Sequence, residues 1–506
     1  MAIRTYTPFG LPSSFRVLVA STPEEADARI VAEATTRWPG CRKVTLASGA
    51  TFAGPYAALR DLVDRGALDL SGVEFRHLDE FMDTEPGTHG ALSKEITDAL
   101  FPDANPRRGR FVPTDTRRPD TLAVHESGVR GSDMVLLGVG ANGHLAFNEP
   151  GVPLGSGTHA GPLTDGSRAV HQAAFARGGR EVPRTALTAG PATILSGGHL
   201  LLAAKGSGKA AAVAAMLGGP ISTDCPASAI RLHDVVTVVL DAAAAELWLA
   251  CEVPTAVAEP EAVLDARTLD PRGPVLVVAP HPDDAGISCG GVLASLRGRV
   301  RTVIATWSTG ARASRPGLDA VEGARLRERE AALEAERLGA EVRFLRASAY
   351  DTGVLDALDV GRLRALIEEL RPAWVFAPAR ADAHPTHRLC RITVDEAVAA
   401  YVRGGGSTLL FTMEGPWHQL TRSEANTLIR IDAAASGEKA HAVAAHASQM
   451  ERVPFHRGAD ALESLRAITF SESHLGGKTT GGFLQDTRLE VFARARVGLD
   501  RPRTNG

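Results

Sequence analysis

Residues 135–151 read VLLGVGANGHLAFNEPG, and the reading of this run decides the fold of the first half of the chain. Val135-Leu136-Leu137 is short and apolar, as a buried strand is. Gly138-Val139-Gly140 lets the backbone turn at the strand's carboxyl end, where open α/β sheets place their ligands. Asn142, His144, Asn148 and Glu149 follow directly. An imidazole between an amide and a carboxylate suits general acid/base work on a hydroxyl or a ring oxygen. The bland alternative is a glycine-rich turn capping a helix, and the flanking segments discriminate.

Outward from this run, strands alternate with helices. Phe15–Ala20 is a strand candidate, and Thr22-Pro23-Glu24-Glu25 opens a helix to about Trp38, with Thr22 as N-cap and Pro23 at the first turn. Lys43–Ala47 is a second strand, ending in Ser48-Gly49-Ala50-Thr51 before a helix from about Phe52 to Arg65. A small hydroxyl-bearing turn at a helix N-terminus can hold an anion on its backbone N–H groups. Val73–Leu78 is a third strand, followed at once by Asp79 and Glu80, which read as a helix cap or as a proton-transfer pair. His199–Ala203 precedes Lys205-Gly206-Ser207-Gly208-Lys209, and Val235–Leu240 is the last strand. This alternation implies a doubly wound, mainly parallel sheet. Its carboxyl ends would line one rim and bring Ser48, Thr51, Asp79, Glu80, His144, Glu149 and Lys209 together.

At 506 residues the chain exceeds one ordinary core, so two large domains or three small ones are expected. Fifty-five basic and 59 acidic residues leave a net charge of -4, which gives no electrostatic case for nucleic acid or an anionic membrane as partner. Cys41, Cys225, Cys251, Cys289 and Cys390 are scattered without a C-x-x-C pair and read as reduced thiols of a cytoplasmic protein. The start, MAIRTYTPFG, is not expected to be a signal peptide, and no run has transmembrane length. Residues 252–274 are rich in Pro, Ala and acids without a helical or strand period. They predict a domain of residues 1–252, a linker at 253–273 and a second α/β domain at 274–506, again doubly wound.

In the second half, Val275–Ala279 is a buried strand ending in His281-Pro282-Asp283-Asp284. A His and an Asp three apart on a tight loop can reach one divalent ion, which leaves Asp283 as a base. A hundred residues on, the strand Ala373–Pro378 precedes Asp382-Ala383-His384-Pro385-Thr386-His387. His387 opens a helix and would complete a two-His, one-carboxylate set with His281 and Asp284, with His384 free to stabilise an oxyanion.

The first half resembles the glucosamine-6-phosphate deaminase/isomerase family through LASGAT, HLDEF, GVGANGHLAFNEPG, PRTALTAG, KGSGKA and CPASAIRLH, over about Lys43 to Leu249. The resemblance implies that Asp79 shuttles a proton between C2 and C1 of an opened amino sugar. It further implies that His144, oriented by Asn142 and Glu149, promotes ring opening, and that Lys209 and the turn Ser48, Gly49, Ala50 and Thr51 hold a 6-phosphate. No cofactor is expected there. The chain departs from the family pattern in having Gly49-Ala50-Thr51 for Gly-Gly-Thr. It also has Ala174 where a phosphate-gripping arginine aligns, with Arg177 nearby, and FMDTEPGTHGALSKEI lacks the family's aromatic lid residues. An unphosphorylated or differently decorated amino sugar is therefore an open expectation.

The second half resembles the zinc-dependent LmbE-type (PIG-L) N-acetylglucosaminyl deacetylases, over about Val275 to Val491. Besides the two His-Pro loops, the Arg327/Glu330 helix running to Leu338-Gly339, Asp351 after FLRAS, and KAHAVAAHASQ (439–449) carry the likeness. It implies zinc on His281, Asp284 and His387, Asp283 deprotonating bound water, His384 stabilising the tetrahedral intermediate and Asp351 on the substrate side. Ala285 stands where the family often has Glu, and Thr386 where it has an Asp that tunes the neighbouring His. Lys439 and His446, seven apart, read as a solvated helical stripe or as a substrate-side contact. Together the halves predict a bifunctional amino-sugar enzyme that removes an acetyl group and then the exposed amine, leaving a ketose and ammonia. The alternatives are a deacetylase whose first half only binds sugar, and a non-catalytic amino-sugar sensor. The expected partner is a small amino sugar, and the resemblance is compatible with a homo-oligomer.

Overall fold

The computed structural model describes residues 3–8, 10–310, 317–421, 423–450, 463, 464, 466, 467 and 488–500. It divides into two compact units between Val253 and Pro254.

In the first unit one sheet runs, in spatial order, Arg4–Tyr6, Phe15–Ala20, Val236–Asp241, Leu200–Ala204, Met134–Gly138, Lys43–Leu46, Glu74–His77 and Arg110–Phe111. Every adjacent pair is parallel except the first. Val135, Leu136 and Leu137 are fully buried in its core, which is why this strand reads as a continuous apolar run. From Lys43–Leu46 the chain steps outward to Arg110–Phe111, then returns to the other side at Met134–Gly138 and continues the opposite way. This reversal opens a crevice between the carboxyl ends of Lys43–Leu46 and Met134–Gly138. The predicted caps form: Thr22 accepts from the Glu25 N–H at 3.2 Å at the head of the helix Pro23–Arg37. Asp79–Phe81 is a short strand of a separate antiparallel sheet with Thr185–Thr188 and His159–Pro162.

The second unit's sheet runs Ala262–Asp265, Thr427–Ile431, Arg488–Asp500, Thr408–Met413, Trp374–Pro378, Val275–Ala279, Thr302–Thr306 and Glu341–Phe344, with Val253–Ala258 also paired to Arg488–Asp500. Arg488–Asp500 is antiparallel to Thr408–Met413 and Thr427–Ile431; the remaining pairs along the sheet are parallel. The chain order reverses here between Val275–Ala279 and Trp374–Pro378, the two strands that carry the His-Pro loops.

Residues 253–273, expected as a linker, are a correction. Two strands lie within them, and Ala262–Asp265 pairs in register with Thr427–Arg430. Proline and acidic residues hide the short apolar runs, and the pairing partners lie more than 150 residues further on, where local composition cannot register them. Among the described residues no helix is long and apolar enough to cross a membrane.

Candidate active sites

In the first unit, four consecutive parallel strands end side by side: Leu200–Ala204, Met134–Gly138, Lys43–Leu46 and Glu74–His77. At about 4.8 Å per strand, the groups leaving these ends share a rim about 15 Å wide. Asp79 follows the last strand and pairs with Thr188. The Thr188 hydroxyl accepts the Phe147 N–H at 3.1 Å, which ties Asp79's strand to the 135–151 loop.

Within that loop the Asn142 amide donates to Glu149 Oε2 at 2.8 Å while its oxygen accepts the His144 N–H at 3.2 Å. His144 Nδ1 lies 3.6 Å from the same Glu149 oxygen, just beyond hydrogen-bond length. Thr164 and Ser167, at the head of the helix Asp165–Ala176, also donate to Glu149. Burial opposes ionisation of Glu149, yet the neighbouring His144, Ser167 and Asn142 outweigh it and hold the carboxyl at about 2. The ring of His144 occupies the space over Gly140, where a Cβ would sit 2.3 Å from its Cε1. Glycine is required there by the imidazole itself.

The two adjacent carboxylates have separate jobs. Glu80 caps the helix Leu92–Leu100, accepting from the N–H groups of Leu92 and Ser93 and from the Ser93 hydroxyl at 2.7–3.0 Å. Among the described residues Asp79 has no such donors, and burial, with the charges of Glu80 and Glu95, pushes it up to about 8. Glu95 was not singled out in the sequence. Its carboxyl faces the Gly49 backbone, in the very turn expected to hold phosphate; burial and Glu80 raise its pKa against the opposing pull of Gly49. Gly49 has φ 96° and caps the helix Ala50–Asp64, so its N–H is presented by a left-handed turn that favours glycine. Ser48 and Thr51 flank it, half-buried. Lys209 caps the helix Ala210–Gly218, half-buried, with burial lowering its pKa. Ala174 is half-buried within the helix Asp165–Ala176, and Arg177 is exposed at its end. His171 of that helix packs against Phe81 and Phe147, with ring centroids 5.1 and 6.0 Å away.

In the second unit, His281 Nδ1 stands 3.1 Å from Asp284 Oδ2 and 3.2 Å from His387 Nε2, and His387 Nε2 is 3.2 Å from Asp284 Oδ2. Three donor atoms thus form a nearly equilateral triangle. Donors about 2.0–2.2 Å from a tetrahedral ion stand about 3.4 Å apart, so the set fits a zinc-like ion. His384 lies close by, its ring 4.8 Å from His281 and 5.0 Å from His387. The three imidazoles alone also meet ligand spacing, within 4.8 Å of one another, but the tighter triangle includes Asp284. Burial and the neighbouring histidines depress His384 to about 4.

Asp382 is the group that sequence reasoning missed. Its Oδ2 lies 2.8 Å from His387 Nδ1, and its Oδ1 accepts the His384 N–H at 2.8 Å. A carboxylate behind a ligating imidazole fixes its tautomer and orientation. The signal was present in DAHPTH, five residues before His387; the His384 ring, which the Thr386 departure concerns, receives no carboxylate from Asp382, which takes only its main-chain N–H. Despite burial, Asp284 and Asp382 raise His387 to about 10, the state expected of an imidazole facing two carboxylates. Asp283 is paired to buried Arg327 at 2.9 Å. Ala285 is fully buried, and Glu334, from the helix Ala320–Leu338, accepts the Gly286 N–H at 2.7 Å beside it. Asp351 is exposed next to Tyr350, whose ring is 6.2 Å from His281. The expectation of a solvated stripe at Lys439 and His446 does not hold. Lys439 is buried between Glu463 and Glu490 at 2.8 and 2.7 Å, and His446 is fully buried 3.6 Å from Glu334.

The architecture and its two rims define a pair of α/β enzyme domains acting at strand ends. The chain belongs, through its first unit, to the glucosamine-6-phosphate deaminase family. Residues 20–239 match the model of glucosamine-6-phosphate isomerases/6-phosphogluconolactonase, and residues 276–398 match that of GlcNAc-PI de-N-acetylase. A glucosamine-6-phosphate deaminase of Streptomyces coelicolor is 37% identical over 211 residues, covering 40% of this chain and 79% of that protein. One from Rhodococcus opacus is 36% identical over 246 residues, 46% and 93% of the two chains. A solved monomeric glucosamine-6-phosphate deaminase aligns with 33% identity over 46% of this chain and 99% of its own, at a TM-score of 0.42.

Proposed function

We propose that this chain performs two steps on one class of sugar: metal-dependent de-N-acetylation of an N-acetylglucosamine-type substrate in the second unit, and isomerising deamination of the freed 2-amino sugar in the first. The observation that carries the reading is that each unit gathers its ionisable groups at the reversal point of its own sheet. In the second unit His281, Asp284 and His387 would hold the ion. When bound, a divalent metal supplies Lewis acidity and an activated water, and two nitrogens with one carboxylate favour zinc. Asp283, held by Arg327, is placed to take a proton. His384, its main-chain N–H anchored on Asp382, is placed to donate to the acetamide oxygen as negative charge develops there.

In the first unit His144, backed by Glu149 and Asn142, moves a proton at the ring oxygen as the sugar opens. Asp79 carries one between C2 and C1, and a carboxyl near 8 can both accept and return it at neutral pH. One observation narrows the sugar. Glu95 faces the Gly49 backbone of this turn, and a carboxylate there repels a phosphate, which favours a substrate with a free 6-hydroxyl over a 6-phosphate. We place the protein in the cytoplasm, in keeping with five free thiols.

The test is to incubate the purified full chain with N-acetylglucosamine, glucosamine and their 6-phosphates, and to measure acetate, ammonia and metal content. Acetate and ammonia from one substrate, with about one equivalent of metal lost in His281→Ala, are expected. Acetate without ammonia from any of them overturns the two-step reading, and metal content unchanged by His281→Ala overturns the metal site.

A further inference from the structure

The chain has five tryptophans. Trp38, Trp248, Trp307 and Trp374 are buried, whereas Trp417 is 51% exposed. It sits beside His384, the imidazole next to the metal triangle: its ring centroid is 5.8 Å from that of His384, with the planes inclined at 36°. The indole is held there by a built turn. The Gly415 N–H bonds to the His418 carbonyl at 2.9 Å and the His418 N–H returns to Gly415 at 3.3 Å. Glu414, itself buried, accepts the Leu420 N–H at 2.8 Å and is gripped by Arg466, whose Nε lies 3.1 Å away. A loop closed at both ends around a buried ion pair is preorganised, and the side chain it exposes to water is the one with the largest apolar area to lose.

We propose that Trp417 is a stacking platform for the pyranose ring of the acetamido sugar, which sets the ring so that its acetamide reaches His384 and the His281–Asp284–His387 triangle. A gluco-configured pyranose presents a face of C–H hydrogens, made electron-poor by the ring oxygens, to the electron-rich face of the indole. The platform selects a cyclic sugar over an open-chain acetamide and acts on substrate binding, with no part in proton transfer. This rests on the deacetylase reading, and the test separates the two.

Because only Trp417 is exposed, acrylamide quenching of the full chain's fluorescence reports on it directly. N-acetylglucosamine at up to about 50 mM, fifty times a millimolar Kd, should protect it. Trp417→Ala should lose the protectable component, raise KM for N-acetylglucosamine about tenfold with kcat within about twofold, and leave turnover of ring-free N-acetylethanolamine unchanged. Trp417→Phe should recover most of the loss. Equal losses on both substrates, or no protection of the wild type, overturn the platform while acetate release leaves the deacetylase intact. Protection without acetate release from any acetamide overturns the deacetylase reading and leaves the platform standing.

Discussion

Replacing Asp79 with Asn separates the energetic cost of this residue from its chemistry. Its carboxyl is raised from 3.8 to about 8, first by burial and then by Glu80 and Glu95. At about 1.4 kcal/mol per unit the displacement corresponds to on the order of 6 kcal/mol against the ionised form. The sign follows from proton binding. Between the two values the folded state keeps a proton that the unfolded chain has released, so stability falls as pH rises from about 4 and the full cost is present above about 8. Asn keeps the shape without the charge. In urea titrations of the full chain, Asp79→Asn should match the wild type near pH 4 and exceed it by on the order of 6 kcal/mol at pH 9. The second unit is common to both proteins and cancels in the comparison. The same variant should release no ammonia, while wild-type kcat/KM for ammonia release climbs with pH through a midpoint near 8. A stability gap independent of pH, or a wild type that is the more stable at pH 9, would refute the reasoning.

Three further outcomes are expected. Glu95→Gln removes one of the like charges facing Asp79, so the midpoint of the ammonia-release profile moves down from about 8, and KM for the 6-phosphate falls; an unmoved midpoint counts against the contact. Asp382→Asn weakens the orientation of His387 and should lower metal affinity roughly 10–100-fold in a chelator competition titration, against no change if Asp382 is merely structural. Gly140→Ala drives a methyl into the His144 ring and should cost at least about 100-fold in ammonia release with circular dichroism and acetate release unchanged.

Much of this was legible in one dimension because parallel α/β folds write their sites locally. A buried strand, a turn and a polar cluster occur in succession at Met134–Gly138, where the turn is glycine-rich, and again at Val275–Ala279 and Trp374–Pro378, where it carries a His-Pro pair. The two His-Pro loops could be paired across a hundred residues because each followed a strand of the same kind. What escaped had no local signature. Glu95 lies in the first turn of its helix, where an acidic residue is ordinary, and only the packing of that helix brings its carboxyl near Gly49. Lys439 and His446 have the spacing of a surface stripe, and the neighbours that bury them, Glu490, Glu463 and Glu334, come from distant segments.

By itself the sequence determined the residue types, the strand–turn–helix order and the domain class, because apolar periodicity and turn chemistry act over a few residues. Tertiary structure alone decided which of two adjacent carboxylates caps a helix and which stays buried without donors, and which aspartate stands behind His387. It also decided that residues 253–265 are sheet rather than tether. These outcomes depend on desolvation and on partners far along the chain, and both exist only once the layers have packed.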